Sequence, residues 1–99
     1  MTFAEYQAAS AALEQALRDA TACHDAIRDT LAAELGIPAR GAMGLTPDAI
    51  KFAPRYRSAK LALDRAVATS RAFHGQYAGR FKKEIRAAID ARRLAKLQS

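Results

Sequence analysis

Along the first third of the chain one stripe of positions recurs at alternating steps of three and four: Phe3, Tyr6, Ser10, Leu13, Leu17, Ala20, His24, Ile27 and Leu31. That spacing is a heptad seam. It specifies one long helix with a single sticky edge, and such a helix must find a neighbour. Its ends are marked as clearly as its middle. Thr2 and Glu5 have the capping-box spacing, in which hydroxyl and carboxylate satisfy otherwise orphaned backbone N–H groups. Leu35 is followed by Gly36, Ile37 and Pro38. Glycine suits a left-handed C-cap, the isoleucine can fold back on Leu31 or Ala32, and proline prevents continuation. The expected helix, about residues 2–35, would be roughly 50 Å long at the usual helical rise.

A second stripe supplies the neighbour: Tyr56, Ala59, Leu63, Ala66, Ser70, Phe73, Tyr77, Phe81, Ile85 and Ala88. Between the stripes, residues 36–53 read as a connector, with Gly36, Gly41, Gly44 and Pro38 close together. Thr46, Pro47 and Asp48 mark a short helix within it, about 47–52, with the threonine as cap. The main second helix is expected over about 54–96. The spacing of its stripe changes to four-four after Tyr77, beside Gly75 and Gly79, where each glycine costs roughly 0.8–1 kcal/mol relative to alanine. The reading is therefore all-α, in one domain over 1–99: a long antiparallel two-helix hairpin with a short extra helix in the connector. The alternative is a three-helix bundle broken at Gly75–Gly79. With Leu35 placed beside Pro54, Phe3 should face about residue 87, and everything after Ala88 should project beyond the pair.

Alanine fills twenty-five of the 99 positions, and there is no tryptophan. Alanine buries little area, so the expected core is thin. One seam scarcely offsets the entropy of ordering so many residues. A protein partner or self-association is expected, with a homodimer closing a four-helix bundle as the simplest form.

Charge is split along the chain. Residues 1–35 carry six acids against two bases, a net −4, and residues 36–99 carry fourteen bases against four acids, a net +10. The first segment should shield part of the second and leave a cationic end uncovered. Arg80, Lys82, Lys83, Arg86, Arg92, Arg93 and Lys96 crowd into seventeen residues that hold only Glu84 and Asp90 as acids. Such a surface suits an acidic protein or a phosphate backbone. It lacks the Asn or Gln placement expected for base reading. Ile89, Leu94 and Leu97 offer apolar contacts beside it.

No enzyme is expected. Cys23 and His24 point about 100° apart on a helix, and an acidic helix disfavours the thiolate. His24 and His74 fall roughly 14 Å apart in the expected register, and too few ligands surround either for a tetrahedral metal site. The glycines match no phosphate-binding loop, so no cofactor or metal is assigned. Gly75 and Gly79 form a GxxxG pair, read as close packing against the first helix or a bend. The N-terminus lacks signal-peptide features and no apolar run approaches membrane-spanning length. With a single cysteine, the expected setting is cytoplasmic, with no membrane partner. The resulting functional expectation is a non-enzymatic helical interaction protein, of accessory or inhibitor type, that docks on a protein partner or oligomerises. The alternative is a sequence-tolerant nucleic-acid-binding protein that uses the basic C-terminal helix.

Overall fold

The computed structural model describes residues 1–98, and these contain helices and turns but no strand. Helix α1 spans Phe3–Leu35, α2 Asp48–Lys51, α3 Pro54–Tyr77 and α4 Lys82–Gln98. A 3₁₀ turn at Ala42–Gly44 lies in the connector, and a second, Ala78–Phe81, joins α3 to α4.

The expected signals set α1's ends. Thr2 Oγ1 accepts from the Glu5 N–H and Glu5 Oε1 accepts from the Thr2 N–H, each at 3.1 Å. Gly36 takes φ +65° at the C-cap, and the Ile37 N–H donates to the Ala32 carbonyl at 3.0 Å. Every seam position named from spacing, in both long helices, is buried or half-buried. α1 and α3 form the antiparallel hairpin along that seam.

The register differs from the expected one. Phe3 packs on Phe81 with tilted rings rather than meeting residue 87, the ring centroids 5.8 Å apart. His24 meets Tyr56 at 4.9 Å, not residue 65. Ser10, not residue 15, bonds His74. The connector is the cause. It folds back over the last turns of α1, so that Ile50, Ile37 and Ala39 pack on Leu31 and Ala32. The start of α3 is thereby pushed toward Ile27, beside which Pro54 lies. Ile50 is the one side chain excluded entirely from solvent among the described residues. The short helix starts one residue later than expected. Pro47 occupies its N-cap, so Thr46 makes no capping bond. Met43, with φ +61°, holds a left-handed conformation that nothing in its chemistry foretells.

The second helix is not continuous. A straight helix from Pro54 to Gln98 would be about 68 Å long, yet the molecule's longest dimension is 50 Å, about the length of α1 alone. The chain bends at Tyr77–Phe81, and α4 swings out beside α1 instead of projecting beyond it. The bend falls where the partner helix ends. Phe81 caps the start of α1 through Phe3 and Tyr6 (5.8 and 5.1 Å). A straight continuation would leave Ile85 and Ala88 in water, whereas in the bent chain both are half-buried. Gly75 and Gly79 do not pack against α1, since a Cβ on either would meet nothing within 4 Å.

Candidate interaction surface

Because α4 leans away from the hairpin, a cleft of about 400 Å³ opens between it and the first third of α1. Tyr6 and His74 form the floor, with Phe3 at one end. Gln7, Ser10, Ala11 and Glu14 line the α1 wall, and Ile85, Ala88, Ile89 and Arg92 the α4 wall. Tyr6 is buried beneath Phe73, whose ring lies 5.5 Å away and nearly parallel.

The imidazole of the floor has both nitrogens bonded. The His74 Nδ1 lies 2.8 Å from the Ser70 carbonyl oxygen. A carbonyl only accepts, so Nδ1 carries the proton and Nε2 accepts from the Ser10 hydroxyl at 3.0 Å. Sequence spacing placed Ser10 and Ser70 in the seam but did not reveal this bond. Two serines facing a histidine across a helix pair are the only signal that could have done so.

The basic residues surround the α4 wall unevenly. Lys82, Arg86 and Arg93 fall within an arc of about 40° beside Ile89, and Lys83 lies about 100° around from Lys82. Arg92 lines the cleft itself. Arg80 sits 6.0 Å from the centre of the Tyr77 ring. Among the described residues, none of Lys82, Lys83, Arg86, Arg92 and Arg93 enters an ion pair. Neither Glu5 nor Glu14 pairs with Lys82, Lys83, Arg86, Arg92 or Arg93. Glu5 serves the capping box, and its bonds with the Thr2 backbone and hydroxyl hold its carboxyl below the usual value. Among the described residues, Arg55 and Glu34 form a side-chain ion pair between α3 and α1, at the far end of the hairpin.

The apolar contact residues separate into two groups. Ile89, 48% exposed, faces the cleft. Leu94 and Leu97, at 59% and 79%, lie about 140° and 80° further around α4, on its outer side. Lys96 lies in the last turn of α4.

The other chemistry-bearing residues do not assemble. His24 Nδ1 bonds Asp25 at 3.0 Å, and this bond holds the Asp25 carboxyl below its usual range. Arg28 bridges Asp25 and Asp29 (3.6 and 3.1 Å). Both carboxylates are therefore tied to one guanidinium. Cys23 is exposed, beside a shallow depression with Arg55 and Ser58. Among the described residues, no three histidine, cysteine or acidic side chains converge as metal ligands, and no helix is long and apolar enough to cross a membrane. Compared with known proteins, the chain matches no family model, no curated protein and no solved structure.

Proposed function

We propose that this chain is a non-enzymatic helical docking protein, of accessory or inhibitor type, that engages a protein partner through α4 and the cleft behind it. One observation carries the reading. α4 is seventeen residues long and holds no buried residue, yet it presents Ile85, Ala88 and Ile89 in a row across an open cleft. An isolated helix of that length is marginal in water. Its apolar stripe is half the complement of a helix packing, and among the described residues Ile85 and Ala88 are only half-buried while Ile89 is exposed. The reading is tested with a photo-crosslinking residue at Ile89 in the full-length protein, in its host cell, alongside sedimentation velocity across a range of concentrations. The expected result is a discrete protein adduct, or self-association, that disappears when Ile85 on the same wall of the cleft is replaced by glutamate. A monomer at every concentration with no adduct would refute it.

The cations without ion partners on α4 favour a second reading, contact with nucleic acid. It requires log affinity to fall with log salt at a slope near −0.9 per phosphate neutralised. Neutralising Lys82, Lys83 and Arg86 should then lower affinity evenly across sequences. Absence of binding at low salt eliminates it.

A further inference from the structure

We infer that the cleft between α1 and α4 is a receptor groove for one amphipathic helix of a partner protein, carrying acidic residues along the flank that faces α4. The inference deepens the docking reading and rests on it.

Three features define the guest. First, the groove is the right length. Gln7 to Glu14 on one wall and Ile85 to Arg92 on the other each span about 10 Å, or two helical turns. Ile85, Ala88 and Ile89 stand at the i, i+3, i+4 spacing that frames a hole for an incoming side chain. A helix seated there would make a fourth member beside α1, α3 and α4.

Second, the histidine of the floor can be covered by apolar atoms without penalty. Both ring nitrogens of His74 are already bonded, to Ser10 and to Ser70, so covering them orphans no polar group. Tyr6 and Phe3 add aromatic surface at the same level.

Third, the walls differ in charge. Arg92 lies on the α4 wall and Lys82, Arg86 and Arg93 lie just past Ile89 around the same helix, so cations flank the cleft on its α4 side, whereas the α1 wall offers Gln7 and Glu14. A guest must therefore bring carboxylates toward α4 and keep them away from Glu14. A second copy of α4 brings the wrong sign, since it would set cations against cations. A nucleic acid would satisfy the rim and leave the apolar walls uncovered. Rim charges contribute little affinity each but set partner choice and encounter rate. The apolar walls hold the guest and the rim selects it.

The test titrates the full-length protein with three synthetic helical peptides that share one leucine–alanine stripe. They differ in one flank, which carries glutamate, glutamine or lysine. Fluorescence anisotropy reads affinity and amide NMR shifts read location. The glutamate peptide is expected to bind at least tenfold tighter than the lysine peptide, with shifts confined to Tyr6–Glu14 and Ile85–Arg92. Ile89→Glu, at an exposed position whose fold is checked by circular dichroism, should weaken it at least tenfold. Arg86→Glu with Arg93→Glu should invert the preference. Equal binding of all three peptides in the cleft would refute the acidic guest and leave docking standing. If none binds, the groove is refuted, and the crosslink at Ile89 decides the broader reading separately. Cleft shifts on simple concentration, or displacement of the peptide by a short DNA duplex at physiological salt, would overturn the inference in favour of self-association or nucleic acid.

Discussion

The two half-buried histidines have opposite fates. His74 has both nitrogens satisfied, while His24 uses Nδ1 on Asp25 and buries Nε2 with no hydrogen-bond partner. An orphaned buried group costs about 1–3 kcal/mol, and a made bond contributes about 1 kcal/mol. Removing polarity at the two sites should thus have opposite signs. Ser10→Ala leaves His74 Nε2 unmatched and should lower the melting temperature by about 4–8 °C per kcal/mol lost. His24→Phe keeps the ring on Tyr56 and removes the orphan, so thermal melts should show equal or greater stability. A marked loss would mean that Nε2 has a partner. Acid acts at the same scale. Glu5 is held below its usual value of 4.5 by its bonds to Thr2. A depressed carboxyl stabilises the fold above its ordinary value, and that contribution disappears as pH falls through the lowered one. Amide exchange at the first turn of α1 should rise below pH 4.5, and Thr2→Ala should abolish that dependence.

At the scale of elements, α2 matters more than its four residues suggest. Ile50 lies where α1, α2 and α3 meet, packed with Leu31, Ala32 and Tyr56. It fixes how far the connector folds back, and hence the register of the hairpin. Ile50→Ala should cost about 2–5 kcal/mol, the usual range for a truncated core side chain. Denaturant midpoints measure it, and exposed Leu61 is the control. This explains what the sequence revealed and what it hid. Periodicity is a property of one helix, so the seam positions of α1 and α3 were legible to the residue. Register is a property of the connector, and a lone isoleucine in a four-residue helix has no periodic neighbours to announce its burial. The bend at Tyr77–Phe81 was visible only as a change of spacing beside glycines. The basic residues of α4 could be named, but not divided between a cleft rim and an outer face. The glycines carry a prediction of their own. Gly75 lies within α3, with open space where a Cβ would sit. Gly75→Ala should stabilise the free protein by about 0.5–1 kcal/mol. A loss instead would mean that another surface closes on that face.

For the whole molecule, the uneven charge looked like an adhesive between the two halves of the chain. The structure uses it sparingly. The ion pair spanning the hairpin, Arg55 with Glu34, is half-exposed on both sides, and pairs of that kind contribute about 0–1 kcal/mol. Packing through Tyr6, Phe73, Phe81 and the Ile50 cluster holds the helices together instead. Such contacts are insensitive to ionic screening, whereas charges separated by more than about 10 Å are largely screened at 0.1 M salt. Folding stability should therefore change little between 0.05 and about 0.5 M sodium chloride, and Arg55→Ala should shift the melting temperature by only a few degrees. Binding at α4 should behave differently, because Lys82, Arg86, Arg92 and Arg93 enter no ion pair among the described residues. Affinity for an acidic guest should fall with salt over the same range that leaves the melting curve in place. Parallel salt titrations of unfolding and of peptide binding test this separation. If the two curves move together, charge holds the fold itself, and the cationic face of α4 is already committed within the chain.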